Sequence, residues 1–261
     1  MTSRFKGKVA LVTGGGTGMG RAGALRLAAE GAKVVIAGRR PAELKATASL
    51  AAKLDGEIWP ISADVTAAEQ VDQLVAQICA IHGGLDLAWN NAGALGSFAP
   101  TADISTEDFD AVMAVNLRGT FLCIREEIRA MRKRGGGAIV NTSSWTAMGA
   151  MPGTTAYAAS KGALDAMVRT AALEVGGDNI RINNLAPGVI VTPMSLGAIG
   201  DEEAMAPFAN HAALRRIGRS EDVADALTWL LSDDARFVTG QTIAVDGGFS
   251  IGGPRPWAEA C

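Results

Sequence analysis

Cysteine, histidine and tyrosine are scarce in this chain of 261 residues, which has three, two and one of them. The cysteines, at positions 79, 123 and 261, are odd in number and far apart, so they fit neither a disulfide framework nor a zinc cluster. His82 and His211 give no metal-ligand spacing. The sequence therefore predicts a protein of a reduced, cytoplasmic compartment with no metal site.

An excess of basic charge and a long apolar run are also missing. The formal net charge is −3, which argues against a nucleic-acid partner, because a phosphate-binding surface is strongly basic. The first apolar run, Val9–Val12, is too short for a secretion signal. The longest uncharged stretch, residues 135–160, is too rich in glycine and polar residues to span a bilayer. We therefore expect neither nucleic acid nor a membrane as a partner.

Short apolar strands alternate with helical patterns along the whole chain. The strand patterns are continuously apolar, which is typical of a parallel sheet that helices cover on both faces. We predict one α/β domain over residues 1–261, built on a single doubly wound parallel sheet. Residues 192–217 interrupt the pattern and form either a lid over a site or a surface insertion. The predicted strands are Val9–Val12, Lys33–Ala37, Glu57–Ile61, Leu85–Trp89, Gly137–Thr142, Ile180–Leu185 and Thr242–Val245.

A glycine-rich loop follows the first predicted strand and precedes a helix. It reads TGGGTGMG over residues 13–20. Glycines let the backbone adopt positive φ and approach a ligand closely, and the unpaired N–H groups at a helix N-terminus suit a pyrophosphate. A dinucleotide site is the functional interpretation, and a purely structural glycine turn is the alternative.

The end of the second strand bears on the kind of dinucleotide. Folds that prefer NAD usually carry an acidic residue here, which binds the ribose 2′-OH. This chain has Gly38, which leaves space, followed by Arg39 and Arg40, whose guanidinium groups suit a 2′-phosphate. The sequence therefore favours NADP(H), with NAD(H) as the alternative if both arginines are merely solvated.

The single tyrosine lies four residues before a lysine. On a helix, Tyr157 and Lys161 share one face, and the ammonium would lower the pKa of the phenol toward the range useful for proton transfer. The preceding strand ends in Ser143 and Ser144, at the sheet edge where open α/β sheets bind ligands. An ordinary surface pair and a serine-rich turn are the alternatives.

Asn116 is a polar residue within an apolar pattern. The helix predicted to begin near Ser105 buries a stripe that includes Asn116, where an unbonded amide would cost stability. Asn116 therefore either bonds the backbone of a neighbouring strand or holds a water in the site, and both can hold at once. The stripe consists of Phe109, Val112, Met113, Leu117 and Phe121.

Together these features resemble the short-chain dehydrogenase/reductase family, in the subclass of about this length. The resemblance covers residues 5–250 and implies a Rossmann-type fold and a homotetramer. Met19 in the glycine loop and Asn184, where alanine is usual, are departures from the family pattern. The matching motifs are TGGGTGMG at 13–20, Asp64-Val65, NNAG at 90–93, Asn116, NTSS at 141–144, YAASK at 157–161 and PGVIVT at 187–192.

The resemblance also implies roles for individual residues. Tyr157 would be the general acid/base, Lys161 would bind the nicotinamide ribose, Ser144 would orient the substrate, and Asn116 would hold a water in a proton relay. The residues implied in cofactor binding are Gly14, Gly16, Thr17, Gly18, Met19, Gly20, Arg39, Arg40, Asp64, Val65, Asn91, Ala92, Gly93, Tyr157, Lys161, Pro187, Gly188, Ile190 and Thr192.

The sequence thus predicts an NADP(H)-dependent enzyme that interconverts a ketone and a secondary alcohol, working as a carbonyl reductase. An NAD-dependent sugar or polyol dehydrogenase is the alternative on the same fold, and a nucleotide-sensing protein without catalysis is a third. Trp145 joins Ser144 and Tyr157 as a candidate substrate contact. An apolar pocket would suit a bulky ketone. The other candidate lining residues of this pocket are Met148, Met151, Met194, Leu196, Met205 and Phe208.

The C-terminal residues 252–261 either reach a neighbouring subunit or fray.

Overall fold

The computed structural model describes residues 3–201 and 203–253, which form seven strands and nine α-helices. The strands are Val9–Thr13 (β1), Lys33–Gly38 (β2), Glu57–Ser62 (β3), Leu87–Asn90 (β4), Gly137–Thr142 (β5), Ile180–Pro187 (β6) and Thr242–Val245 (β7). The helices are Gly18–Ala29 (α1), Pro41–Ser49 (α2), Ala68–His82 (α3), Thr106–Met113 (α4), Thr120–Arg134 (α5), Thr155–Val175 (α6), Pro193–Ile199 (α7), Ala206–His211 (α8) and Ser220–Leu231 (α9).

The strands form one parallel sheet in the order β3-β2-β1-β4-β5-β6-β7. Alternate residues of each strand point to opposite faces. Val12 and Val34 pack in the layer that contains α1 and α9, whereas Leu11 and Val35 pack in the layer that contains α3, α5 and α6. The predicted doubly wound parallel sheet of the Rossmann type is therefore confirmed. Its strand order reverses between β1 and β4, the point at which such sheets bind ligands.

The strand boundaries follow the sequence prediction closely. β5 and β7 match it, and β1, β2, β3 and β6 continue one or two residues further toward their carboxyl ends. β4 begins at Leu87, two residues later than predicted. These carboxyl ends are the edge at which the candidate site residues gather.

The predicted apolar stripe around Asn116 is wrong at both of its ends. Phe109 is 37 % exposed and Phe121 is 48 % exposed, whereas Val112 is buried. For Phe121 the reason is a π-helical turn, Ala114–Gly119, that separates α4 from α5. A π turn inserts an extra residue and changes which side of the following helix faces the core.

Two further segments were singled out in the sequence. Residues 192–217, predicted to be either a lid or a surface insertion, contain α7 and α8. No helix in the described ranges is both long and apolar enough to cross a membrane. The C-terminal prediction extends beyond the description, because residues 254–261, including the cysteine at 261, lie outside the described residues.

Candidate functional site

The glycine loop between β1 and α1 packs against the segment that follows β4. Gly14 has φ +67°, and a Cβ there would lie 3.0 Å from both the Ala92 Cα and the Asn91 Nδ2. A Cβ at Gly20 would lie 2.2 Å from the Gly14 carbonyl oxygen. Thr17, the N-cap residue of α1, makes no side-chain cap bond. The loop is therefore held as bare backbone, and the first N–H groups of α1 are left for a ligand.

A cavity opens beside this loop at the carboxyl ends of β1 and β2, and we call it the arginine cavity. A Cβ at Gly38 would have only the Leu44 Cδ2, 3.7 Å away, as a contact, so the space there is open. The cavity brings together most of the residues predicted for the adenosine side. Its lining residues are Gly14, Gly16, Gly38, Arg39, Arg40, Leu44, Ala63, Asp64, Val65, Ala92, Gly93 and Val115.

The charged residues that line the arginine cavity are Asp64, Arg39 and Arg40. Asp64 Oδ1 accepts hydrogen bonds of 2.9 Å from the N–H and the hydroxyl of Thr66. These bonds, with a smaller contribution from the nearby Arg39, lower the pKa of Asp64. Arg40 instead reaches back to the loop and donates to the Thr17 Oγ1 at 3.3 Å. Both guanidinium groups are exposed, so both are accessible to an anion.

Asn91 is placed differently from its neighbours in the NNAG motif. Its amide donates to the carbonyl oxygens of Thr13 and Gly14, at 3.3 and 3.5 Å. Its backbone N–H and that of Ala92 both donate to the Thr13 hydroxyl. Asn91 therefore braces the glycine loop, while Ala92 and Gly93 line the cavity.

A second opening lies at the carboxyl ends of β5 and β6, and we call it the tyrosine cleft. It brings Ser144, Trp145 and Tyr157 together with Met19, as the sequence predicts. Four further residues predicted to bind the cofactor, Pro187, Gly188, Ile190 and Thr192, also line it. A Cβ at Gly18, which has φ +52°, would meet the Thr192 side chain at 3.2 Å, so the glycine loop adjoins this cleft.

The apolar wall of the tyrosine cleft agrees only in part with the prediction. Met151, Met194 and Phe208 line it. Met205 is fully buried, and Met148 and Leu196 are 50 % and 39 % exposed, so these three side chains do not line the cleft. Sequence reasoning missed several lining residues, because their positions depend on how distant loops fold over the sheet. They are Leu95, Phe98, Thr146, Thr154, Val189, Ser195, Ala198 and Ile199.

Tyr157 and Lys161 occupy one face of α6, one turn apart. Lys161 is 3 % exposed, its Nζ donates to the Thr142 carbonyl oxygen at 2.6 Å, and it lies 5.6 Å from the centroid of the Tyr157 ring. Burial lowers the pKa of Lys161 to about 8, and the carboxylate of Asp165 opposes that effect.

The prediction that the pKa of Tyr157 is lowered is wrong. Burial of the phenol is the largest influence and raises the pKa of Tyr157, while hydrogen bonding with Ser144 lowers it. Burial penalises the charged phenolate, and the sequence pattern alone does not reveal how strongly. The nearby ammonium does not reverse this effect.

The two consecutive serines at the end of β5 have different partners. The Ser144 Oγ accepts from the N–H and the hydroxyl of Thr146, at 3.1 and 2.9 Å, which leaves its own O–H to donate toward Tyr157 in the cleft. The Ser143 hydroxyl instead donates to Asp165 Oδ1 at 2.9 Å, on the α6 side. This difference favours Ser144 as the residue that would contact a substrate.

Asn116 sits in the π turn with its side chain fully buried and bonded. Its amide accepts from the Ala94 N–H and donates to the Ala94 carbonyl oxygen, both at 2.8 Å, and it donates to the Ser160 hydroxyl at 3.0 Å. The backbone it bonds therefore belongs to the loop after β4, not to a strand. A Cβ at Gly93 would lie 3.4 Å from Asn116 Oδ1 and 3.8 Å from Lys161 Nζ, so these two polar groups converge beside Gly93.

Asn184, unexplained by the sequence, belongs to a buried row of polar side chains across the sheet. Asn90, Asn141, Asn184 and Thr242 are paired in register on β4 to β7. Asn90 donates to Asn141 and Asn141 donates to Asn184, each at 3.0 Å. Asn184 then donates to Asp165 at 2.9 Å. No sequence periodicity reveals this row, because each residue lies on a different strand.

The other end of the row carries a buried carboxyl group. Asn90 donates to Glu127 Oε2 at 2.9 Å, and Glu127 Oε1 has no hydrogen-bond partner among the residues that the structure describes. Burial raises the pKa of Glu127 from 4.5 to about 8. Glu127 is therefore a neutral acid in the folded protein at neutral pH.

This protonation predicts a particular pH dependence of stability. Between about pH 5 and pH 8 the folded state keeps a proton on Glu127 that the unfolded state releases, so the free energy of unfolding falls by up to ~1.4 kcal/mol per pH unit. Glu127→Gln keeps the acceptor and removes the titration. Denaturant unfolding should give a flatter pH dependence for this variant and a higher stability at the alkaline end.

The neighbouring Glu126 provides the matched control. Arg125 and Arg129 pair with it, and its pKa is lowered, so Glu126 is ionised in both states above pH 5. Glu126→Gln should leave the slope of stability against pH unchanged in this range. Equal slopes for wild type and Glu127→Gln would mean that Glu127 is ionised in the folded protein.

Comparisons with known proteins agree with this arrangement. The family model described as enoyl-(acyl carrier protein) reductase matches residues 14–250. The glucose 1-dehydrogenase of Gluconobacter oxydans is 42 % identical over 252 residues, which cover 96 % of this chain and 94 % of that protein. The levodione reductase of Leifsonia aquatica is 37 % identical over 257 residues, covering 95 % and 96 %.

Solved structures match over nearly the whole fold. A crystal structure of levodione reductase superposes with a TM-score of 0.92 at 36 % identity and covers 95 % of this chain and 99 % of that one. A 7α-hydroxysteroid dehydrogenase, complexed with NADH and 7-oxo glycochenodeoxycholic acid, superposes with a TM-score of 0.90 at 31 % identity, covering 95 % and 96 %. The chain therefore belongs to the short-chain dehydrogenase/reductase family of nicotinamide-dependent oxidoreductases.

Proposed function

We propose that this protein is an NADP(H)-dependent oxidoreductase that interconverts a ketone and a secondary alcohol and works as a carbonyl reductase. The observation that carries the proposal is the meeting of Ser144, Tyr157 and Lys161 at the end of β5, beside Gly93 of the arginine cavity. The test is incubation of the purified protein with NADPH and a panel of ketones. Cofactor oxidation matched by alcohol formation is expected, and its absence across the panel would contradict the proposal.

The residues present fit a nicotinamide dinucleotide. The glycine loop offers bare backbone and an uncapped helix N-terminus for the pyrophosphate. In the arginine cavity, Asp64, Val65, Ala92 and Gly93 would hold the adenosine. Lys161 and Tyr157 would hold the nicotinamide ribose, and Pro187, Gly188, Ile190 and Thr192 the carboxamide side. When bound, the cofactor would supply or accept the hydride.

NADP(H) is the proposed form because of the residues after β2. Arg39 and Arg40 are exposed at the cavity, no carboxylate stands at Gly38, and a guanidinium group binds a phosphate through paired charge-assisted hydrogen bonds. With NADPH the favoured direction is reduction.

The protein's own groups divide the remaining work. The Ser144 hydroxyl would donate to the substrate oxygen and polarise the carbonyl bond. The Tyr157 hydroxyl would deliver the proton to that oxygen in reduction and remove it in oxidation. The Lys161 ammonium would stabilise the phenolate, and Asn116 would hold the water through which the proton is replaced.

The second candidate is an NAD-dependent sugar or polyol dehydrogenase. Its support is the 42 % identity to a glucose 1-dehydrogenase, whereas the likeness to levodione reductase supports a carbonyl substrate. A nucleotide-sensing protein without catalysis is disfavoured by the complete set of Asn116, Ser144, Tyr157 and Lys161.

The substrate class follows from the wall of the tyrosine cleft, and we propose a bulky apolar ketone. Trp145 lines the cleft and packs edge-on against Phe249, with ring centroids 4.6 Å apart. α7 and α8 contribute Met194 and Phe208, which supports a lid function for residues 192–217. Apolar lining with few polar groups is the common form of small-molecule sites.

Removal of the Trp145 indole should change the preferred ketone size. We expect Trp145→Ala to raise kcat/KM for a bulky ketone, relative to a small one, by about tenfold. The enlarged pocket can accommodate additional methylene groups of the substrate, and each methylene group in an apolar pocket contributes about 1–3 kcal/mol to transition-state binding. Met148→Ala is the control, since Met148 is 50 % exposed on the same loop. An unchanged preference in Trp145→Ala would remove Trp145 from the substrate site.

The remaining parts of the proposal concern organisation. Residues 1–261 would act as one domain in the cytoplasm, which agrees with the free thiols of Cys79 and Cys123. Exposed apolar side chains, including Phe121, Leu173 and Phe237, support assembly into the homotetramer that the family resemblance implies. Equilibrium sedimentation would determine that state.

A further inference from the structure

Asp165 receives three hydrogen bonds on a single carboxylate oxygen. The hydroxyls of Ser143 and Thr242 and the amide of Asn184 each donate to Asp165 Oδ1 at 2.9 Å. The donors come from β6, from β7 and from the residue that follows β5. Three donors on one oxygen fix the position of the carboxylate.

These donors are part of the sheet and cannot move independently. Asn184 is paired in register with Asn141 and with Thr242, and its side-chain Oδ1 accepts from the Asn141 amide at 3.0 Å. Asn184 is also a departure from the family pattern, which usually has alanine there. The carboxylate of Asp165 is thus attached to β6, to β7 and to the end of β5 through the side chains of Asn184, Thr242 and Ser143.

Asp165 lies one helical turn after Lys161, on the same face of α6. Ser143 connects the two groups along the chain, because it follows Thr142, whose carbonyl oxygen accepts from the Lys161 Nζ. The Ser143 hydroxyl also lies 3.4 Å from the carbonyl oxygen of Lys161. The ammonium and the carboxylate are therefore anchored to the same end of β5.

We propose that Asp165 is a positioning residue for Lys161, whose fixed negative charge keeps the buried ammonium protonated and in place for the reaction. This inference rests on the proposed function, because it assigns Asp165 to the same proton-transfer site. Asp165 itself neither gives nor takes a proton in this reaction. Its carboxylate acts on the Lys161 ammonium through electrostatic attraction alone.

The electrostatics of the buried lysine agree with this geometry. Burial lowers the pKa of Lys161 to about 8, and Asp165 is the charged group that raises it against burial. On the elements that pack against α6, three charged groups bind other partners: Asp108 accepts from the Ser97 N–H, Arg118 donates to the Thr66 carbonyl oxygen, and Arg181 donates to the Leu230 carbonyl oxygen. The further ionisable groups on α6 and on the described elements packed against it are Glu107, Asp110, Tyr157, Arg169, Glu174 and Asp178.

The test is the pH dependence of Asp165→Asn, which keeps an acceptor oxygen for the three donors and removes the charge. The alkaline limb of kcat/KM should move to lower pH by about 0.5–1 unit, because the variant lacks the negative charge that opposes the effect of burial on the ammonium. The alkaline limb of NADPH affinity, followed by fluorescence without turnover, should move equally. Asp165→Glu restores the charge and should return both limbs toward wild type.

Thr242→Val provides the matched control, because it removes one hydrogen bond to the same oxygen and retains the charge. Its limbs should stay in place. Two results would overturn the proposal and leave Asp165 with a structural role only. One is that the pH profiles of Asp165→Asn overlap those of wild type, and the other is that Thr242→Val shifts the alkaline limbs as far as Asp165→Asn does.

Two controls keep the outcomes separate. If thermal melting shows that Asp165→Asn is unfolded, Asp165→Ser carries the same expectation with a smaller side chain. If wild type neither binds NADPH nor reduces any ketone, the proposed function fails, whereas a wild-type profile shared by the neutral variants overturns the role of Asp165 alone.

Discussion

Tyr157→Phe should lower kcat for ketone reduction by about 10²–10⁴-fold while the Kd for NADPH changes little. The phenol is the group placed to exchange a proton with the substrate oxygen, and removal of a general acid/base has effects of about this size. The ring, by contrast, continues to fill its place beside Lys161, 5.6 Å from the ammonium. Steady-state kinetics and a fluorescence titration with NADPH measure the two quantities separately.

The consecutive serines supply the comparison for this result. Ser144→Ala removes the hydroxyl that lies in the cleft beside Tyr157, whereas Ser143→Ala removes a hydroxyl that is bound to Asp165. We expect the larger loss of kcat in Ser144→Ala. If Tyr157→Phe keeps turnover within about tenfold of wild type, another group delivers the proton.

Arg39→Ala should weaken NADPH binding by about 10- to 100-fold and leave NADH binding nearly unchanged. The side chain is exposed at the arginine cavity, and a hydrogen bond to a charged group contributes about 1.5–3 kcal/mol. Fluorescence titration with each cofactor at one ionic strength measures the difference. Higher salt should reduce the preference in wild type, because exposed charges are screened.

Arg40→Ala is the matched variant for Arg39→Ala. The Arg40 guanidinium donates to the Thr17 hydroxyl at 3.3 Å, so part of its effect passes through the glycine loop and should weaken both cofactors to a similar degree. Equal losses of NADPH and NADH affinity in Arg39→Ala would show that Arg39 does not contact a 2′-phosphate.

Local patterns account for the features that sequence reasoning predicted correctly. All five residues of the strand Val9–Thr13 are buried, because helices cover both faces of the sheet. Its short apolar run in the sequence was therefore sufficient to predict the strand. The spacing of Tyr157 and Lys161 also lies within one helix. The motif set made the family identifiable because each motif is short and local, and most of the motifs lie at a strand end.

The features that were missed depend on partners far away in sequence. The π turn at Ala114–Gly119 changes the buried side of α5, and no residue type signals it. Asn184 finds its partners on three neighbouring elements, 19 to 58 residues distant. The pKa of Tyr157 depends on how completely other segments cover the phenol, which composition does not reveal.

The most direct test of the central claim is kcat/KM for one ketone, measured with NADPH and with NADH at the same ionic strength. We predict that the ketone is reduced with a higher kcat/KM for NADPH than for NADH, and that one alcohol forms for each cofactor oxidised. A preference for NADH would contradict the assignment of Arg39 and favour the sugar or polyol dehydrogenase. Tight cofactor binding without hydride transfer to any carbonyl substrate would contradict the enzyme itself and favour the nucleotide-sensing alternative.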